Sequence, residues 1–124
     1  MGTERQTVGR HGEDLAAAEL ERQGMEILAR NWRCGRLGEV DVVALEPTAG
    51  MPTVVVCEVK CRSGLRYGHP LEAITWAKLR TLRQLAAEWV REHQAGPVRI
   101  RIDAIGIVLV PGQEPQLTHA RGIG

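Results

Sequence analysis

The chain has 124 residues, 44% of them hydrophobic and 25% charged, with a net charge of +1. That balance suits one ordinary globular domain, excludes a disordered or fibrous chain, and argues against a partner captured by bulk basic charge. No apolar run nears the roughly 20 residues of a spanning helix, so no membrane is expected as a partner.

The start, Met1-Gly2-Thr3-Glu4-Arg5-Gln6, is polar and lacks the apolar core of a secretion signal, which predicts a cytoplasmic protein. Residues 7–23 read as a helix, rich in the helix formers Leu15, Ala16, Ala17, Ala18 and Leu20 and ended by Gly24. Gly9 and Gly12 each weaken it by about 1 kcal/mol, which predicts close approach of something to the backbone there. Glu13 lies one turn from Ala16, Ala17 and Leu20. It either points into the fold or serves as a first-turn carboxylate favoured by the helix dipole. Residues 25–32 predict a first strand, residues 33–37 a turn, and residues 38–46 a second strand. The short loop at 47–52 favours an antiparallel hairpin with a third strand at 53–61. After a loop at 63–69, Pro70 suits the first turn of a helix running to about residue 93. Its apolar stripe is Leu71, Ile74, Leu82, Leu85 and Trp89. Lys78 falls within that stripe, where it either snorkels to the rim or reaches a polar site beneath the helix. Residues 98–110 predict a last strand in which Val98, Ile100 and Ile102 alternate with Arg99, Arg101 and Asp103, as on a sheet with one solvated face. Beyond Pro111 the Gly-, Pro- and Gln-rich composition predicts a flexible tail from about residue 111. Cys34, Cys57 and Cys61 cannot all pair internally and match no zinc spacing, so reduced thiols are expected. The four histidines, His11, His69, His93 and His119, are scattered without metal-ligand spacing.

The acidic residues of the second and third strands are the main functional signal. Val54-Val55-Val56-Cys57 leads directly into Glu58, an unbroken run that predicts a strand covered on both faces. An unpaired carboxylate there costs several kcal/mol in order of magnitude. Alternation places Lys60 on the face of Glu58, and Cys57, Val59 and Cys61 on the other. Lys60, a metal ion or exposure at the strand end could each compensate Glu58. The hairpin also brings opposing positions to roughly 5 Å, so Asp41 approaches Glu58 and Lys60 if the register permits. Glu39 shares the face of Asp41. Fourteen of the sixteen basic residues are arginine; Arg30, Arg33 and Arg36 precede the acidic strand, while Arg62 and Arg66 follow Lys60. Arginine forks suit phosphate.

The ordered series Gly9-Arg10-His11-Gly12-Glu13, Arg30-Asn31-Trp32-Arg33, Gly38-Glu39-Val40-Asp41, Glu58-Val59-Lys60 with Arg62, Gly68 with Glu72-Ala73, Lys78, and Arg101-Ile102-Asp103 covers nearly the whole chain. It resembles the YraN-like bacterial proteins, a family of predicted endonucleases related to archaeal Holliday-junction resolvases and sharing the PD-(D/E)xK nuclease core. The resemblance implies one domain over residues 1–124 with a restriction-endonuclease-like α/β core, a mixed central sheet of about four to five strands flanked by helices. It implies metal-dependent hydrolysis of DNA, branched or otherwise structured, with Glu13, Asp41, Glu58 and Lys60 as catalytic residues. Asp41, Glu58 and the Val59 carbonyl would hold Mg²⁺, for which Mn²⁺ would substitute. Arg10, Arg33, Arg62 and Lys78 would contact the nucleic acid. A homodimer is implied because resolvases cut two strands symmetrically, with Trp76 or Trp89 as interface residues. Val40 stands where the motif's name has proline, and the segment at 117–120 is polar. Two other readings remain at this level: a nucleic-acid or protein binding module without turnover, and a structural ion pair between Glu58 and Lys60.

Overall fold

A computed structural model describes residues 4–66 and 68–124; the polar start at 1–3 lies outside them. Helix α1 (Glu4–Arg22) precedes three strands, β1 (Glu26–Cys34), β2 (Gly38–Glu46) and β3 (Thr53–Arg62). A short 3-10 helix (Pro70–Ala73), helix α2 (Trp76–Glu92), β4 (Arg99–Val108) and β5 (Gln116–Ala120) complete the order. The strands form one mixed sheet in the order β1-β2-β3-β4-β5, with β3 and β4 parallel and the other neighbours antiparallel. α2 makes the crossover that a parallel pair requires.

Each helix covers one face of the sheet. Leu79, Leu82, Leu85 and Trp89 of α2 pack on Val40, Val43, Val54, Val56 and Ile102. Ala16 and Leu20 of α1 pack on Val42, Ala44, Val55, Cys57, Ile105 and Ile107. The valine run of β3 is thus buried on both faces, as its composition predicts. This is the architecture of a restriction-endonuclease-like core. Gly12 allows the close seating of α1: a Cβ there would lie 2.9 Å from the Cys61 Cβ. Among the described residues nothing lies within 4 Å of a Cβ placed at Gly9.

Four expectations are corrected. The second helix does not begin at Pro70, because Thr75 caps α2 by accepting the Lys78 N–H at 3.1 Å, leaving a separate 3-10 turn before it. Asp103 lies on no solvated face; it is fully buried, held by Arg101, His119 and the Gly122 N–H. Where a flexible tail is predicted, Gln116–Ala120 forms that fifth strand. Trp89 is unavailable to an interface, being stacked on His93 with ring centroids 3.5 Å apart and edge-on to Trp32. Among the described residues no helix is long and apolar enough to cross a membrane.

Candidate active site

The β2–β3 ladder closes from Glu46 opposite Thr53 to Val42 opposite Cys57, its last paired step. One position further on stand Asp41 and Glu58. Asp41 Oδ2 accepts the Val59 N–H at 2.8 Å, so the side chain of one strand satisfies a backbone donor of the other where the ladder ends.

A change of pleat phase accompanies this arrangement. Val40 and Val43 on β2, and Ala29 and Trp32 on β1, all pack on the α2 layer although each pair is three residues apart. Regular strands place residues of even spacing on one face. The phase therefore changes in both strands in the stretch that holds Asn31 and Asp41, and β1 carries a further register shift between Ile27 and Ala29. Arg30 pairs Val42 and Trp32 pairs Val40, which sets Asn31 opposite Asp41. Asn31 has φ +52°, a left-handed conformation that asparagine tolerates better than most residues. Its role is not evident from the sequence.

Glu58 is only 3% exposed. Lys78 Nζ lies 3.3 Å from its Oε2, yet outside hydrogen-bonding direction, so this buried oxygen has no hydrogen-bond partner. Of the three compensations open to Glu58, the ion pair is made by Lys78 of α2 rather than by Lys60. Lys60 is half-buried and makes no ion pair among the described residues. Burial first, and then a hydrogen bond and charge repulsion from Glu58, push the Asp41 carboxyl up to about 7. Glu13 is half-buried at the edge of this pair. Burial raises its pKa, with the Asn31 amide and Arg30 opposing and Asp41 and Glu39 adding to the rise. Arg30 binds Asp14 at 2.7 Å and lies 3.9 Å from Glu13.

The predicted nucleic-acid contacts are not gathered equally. Lys78 is in the site. Arg62 is half-buried four residues beyond Glu58 on β3, and Arg10 is exposed on α1. Arg33 is exposed and lies 3.8 Å from Glu39.

Hard divalent cations take oxygen ligands. Among the described residues no group of three or more His, Cys, Asp or Glu is placed to hold a metal ion. A carboxylate pair nevertheless suits Mg²⁺, which is commonly held by one or two carboxylates together with waters and phosphate oxygens. The buried Glu58 oxygen without a hydrogen-bond partner and the repulsion between Glu58 and Asp41 are both features a cation would relieve.

Residues 12–107 match the model of the uncharacterised protein family UPF0102. A UPF0102 protein of Renibacterium salmoninarum is 50% identical over 117 residues, covering 94% of this chain and 95% of the relative. One from Streptomyces coelicolor is 46% identical over 120 residues, covering 96% of this chain and 89% of the relative. The chain belongs to the UPF0102 family. This is the YraN-like family that the motif series resembles. The UPF0102 match contains Glu13, Asn31, Asp41, Glu58, Lys60, Lys78 and Asp103, and ends before β5.

Proposed function

We propose that this UPF0102 protein is a metal-dependent endonuclease that hydrolyses phosphodiester bonds of DNA, with branched or structured DNA as substrate. The observation that carries this reading is the Asp41–Glu58 carboxylate pair where the β2–β3 ladder ends, with Lys78 against it and Lys60 two residues beyond Glu58. Asp41 and Glu58 would hold Mg²⁺ or Mn²⁺, joined by the Val59 carbonyl as the resemblance implies. Such an ion, when bound, supplies Lewis-acid stabilisation of phosphate charge and lowers the pKa of water. Val59 N–H fixes Asp41, leaving its second oxygen for the site. Lys60 would donate to a non-bridging phosphate oxygen as charge grows there, or orient the attacking water. Lys78 would exchange its contact with Glu58 for one with phosphate. Glu13 supports the pair from α1, and Arg10, Arg33 and Arg62 would meet the backbone of the bound strands. We place the protein in the cytoplasm, as a homodimer when two strands are cut.

The test is cleavage of labelled four-way junction, flap, duplex and single-stranded DNA with Mn²⁺, by wild type and by Glu58→Ala. Wild type is expected to cut and the variant to lose activity by at least about 100-fold, the scale of a lost electrostatic stabiliser. A folded, fully active Glu58→Ala protein would sink the proposal. A second reading, a binding module on the same fold, is favoured by one contact: Lys78 already neutralises Glu58 without a metal. Calorimetry with Mn²⁺ separates the two, since the module would bind DNA and take up no ion.

A further inference from the structure

Helix α2 carries a second chemical surface, turned away from the carboxylate pair. Its inward positions Leu79, Leu82, Leu85, Ala86 and Trp89 are buried, whereas Trp76 at its first residue is 81% exposed. An indole ring left in water is costly to keep and easily used, because aromatic faces stack on other π-systems. The aromatic contacts among the described residues join Trp32, Trp89 and His93 and leave Trp76 without a ring partner. Helical spacing of i, i+4 and i+7 sets Arg80 and Arg83 on the face of Trp76. Both arginines are exposed, and among the described residues neither has an acidic partner. The first acidic residue of α2, Glu88, is already bound to Arg91. One π-face therefore stands in line with two free guanidinium forks.

We propose that the Trp76–Arg80–Arg83 stripe binds a single polynucleotide strand, with an unpaired base stacked on Trp76 and phosphates held by Arg80 and Arg83. The proposal rests on the reading that the neighbouring site acts on DNA, and it adds the substrate class: DNA with a single-stranded portion. Stacking platforms interleaved with cations suit single strands, whose bases are free to splay; in a duplex the base faces are occupied by their neighbours. Lys78, in the same turn as Trp76, faces Glu58. A helix is ~10 Å across with its side chains, so one strand can span both surfaces over a few nucleotides.

The experiment is binding of a short oligo(dT) strand and of a blunt duplex in EDTA, read by tryptophan fluorescence and by anisotropy of the labelled DNA. Trp76 is exposed, so its truncation leaves the core intact, and the melting curve of each variant checks this. Wild type should show quenching by oligo(dT). Trp76→Ala should weaken oligo(dT) binding about 5- to 100-fold while changing duplex binding by less than about 3-fold, and Trp76→Phe should restore most of the loss. The double variant Arg80→Glu, Arg83→Glu should reduce the slope of log affinity against log salt by about 1.4, two phosphate contacts on a single strand. Oligo(dT) binding by Trp76→Ala at wild-type strength overturns the proposal. So does a Trp76→Ala protein that changes its sedimentation and not its DNA affinity, which would make the stripe a contact between copies. Binding that depends on the stripe, in a protein that cuts no DNA with Mn²⁺, would retire the nuclease reading and leave the stripe standing. Cutting indifferent to Trp76 would do the reverse.

Discussion

Asn31 is the residue on which the geometry of the carboxylate pair turns. A side chain held at φ +52° in mid-strand costs an ordinary L-residue roughly 1–2 kcal/mol, and little for asparagine or glycine. The conformation sits opposite Asp41, in the stretch where both strands change phase. Two substitutions separate backbone from amide. Asn31→Gly should keep the Asp41–Val59 hydrogen bond, whereas Asn31→Ala should destabilise the protein by about 1 kcal/mol and loosen that bond. Hydrogen exchange of the Val59 amide reads this directly. Protection is expected to stay within about 3-fold of wild type in the glycine variant and to drop about 10-fold in the alanine variant, 1.4 kcal/mol being a factor of ten. Equal protection in the two would remove Asn31 from its role. Asp41, Glu58 and Lys60 were legible from strand alternation and an acidic residue in an apolar run. Asn31 was not, because a single left-handed residue leaves no periodic trace, and the partner of Glu58 was ambiguous because Lys60 and Lys78 both fit its charge.

The strands and helices were legible where burial imposes a period. The valine run marks β3, the Leu82, Leu85 and Trp89 spacing marks α2, and the short loop before Thr53 marks a hairpin. β5 was illegible for a physical reason: it is held by side chains distant in sequence rather than by its own apolar pattern. Asp103, fully buried, accepts from Arg101 Nε at 2.8 Å and from the Gly122 N–H at 3.0 Å, and His119 Nε2 lies 2.8 Å from its other oxygen. Arg101 also reaches Glu46 at 2.8 Å, and Gln23 at the end of α1 meets His119 Nδ1 at 3.0 Å. Burial alone would raise the Asp103 pKa, but Arg101, the Gly122 N–H and His119 outweigh it and hold the carboxyl below its ordinary range. Asp103→Ala removes the hub and leaves the Arg101 guanidinium with Glu46 alone, so a loss of about 2–3 kcal/mol is expected. Urea unfolding measures it. Amide exchange along 116–120 should rise well before global unfolding, since the pairing of β5 with β4 depends on the same carboxylate. A variant within about 0.5 kcal/mol of wild type would show that backbone pairing alone secures the strand.

At the scale of the molecule, the candidate site competes with stability, and pH exposes the competition. Asp41 titrates near 7 in the folded chain, against about 3.8 for a free aspartate. The folded state therefore binds more protons than the unfolded state between those values, and stability falls as pH rises through that window. Asp103 works in the opposite sense and elsewhere. Its depressed pKa contributes stability that is present above the ordinary aspartate value and lost only as pH falls below it. A comparison of pH 5 with pH 8 thus reads the raised carboxyls, Asp41 with Glu13 beside it, apart from Asp103. Metal-free wild type should lose about 1–3 kcal/mol over that range, at up to roughly 1.4 kcal/mol per pH unit while folded Asp41 still holds its proton and less as it releases it near 7. Asp41→Asn should abolish most of this loss, because an amide can still accept the Val59 N–H and can donate to Glu58. A bound divalent ion should act on the same pair with the sign reversed, replacing the proton and the repulsion together. Mn²⁺ at 100 times its dissociation constant should then restore about 2.7 kcal/mol at pH 8, several degrees in Tm, and much less at pH 5, where the proton competes. Thermal melts of wild type, Asp41→Asn and Glu58→Gln at the two pH values, with and without Mn²⁺, decide the matter. If all three melt alike at both pH values, Asp41 and Glu58 do not share a proton. If wild type alone loses stability with pH but ignores Mn²⁺, the pair is coupled as described and the metal reading fails.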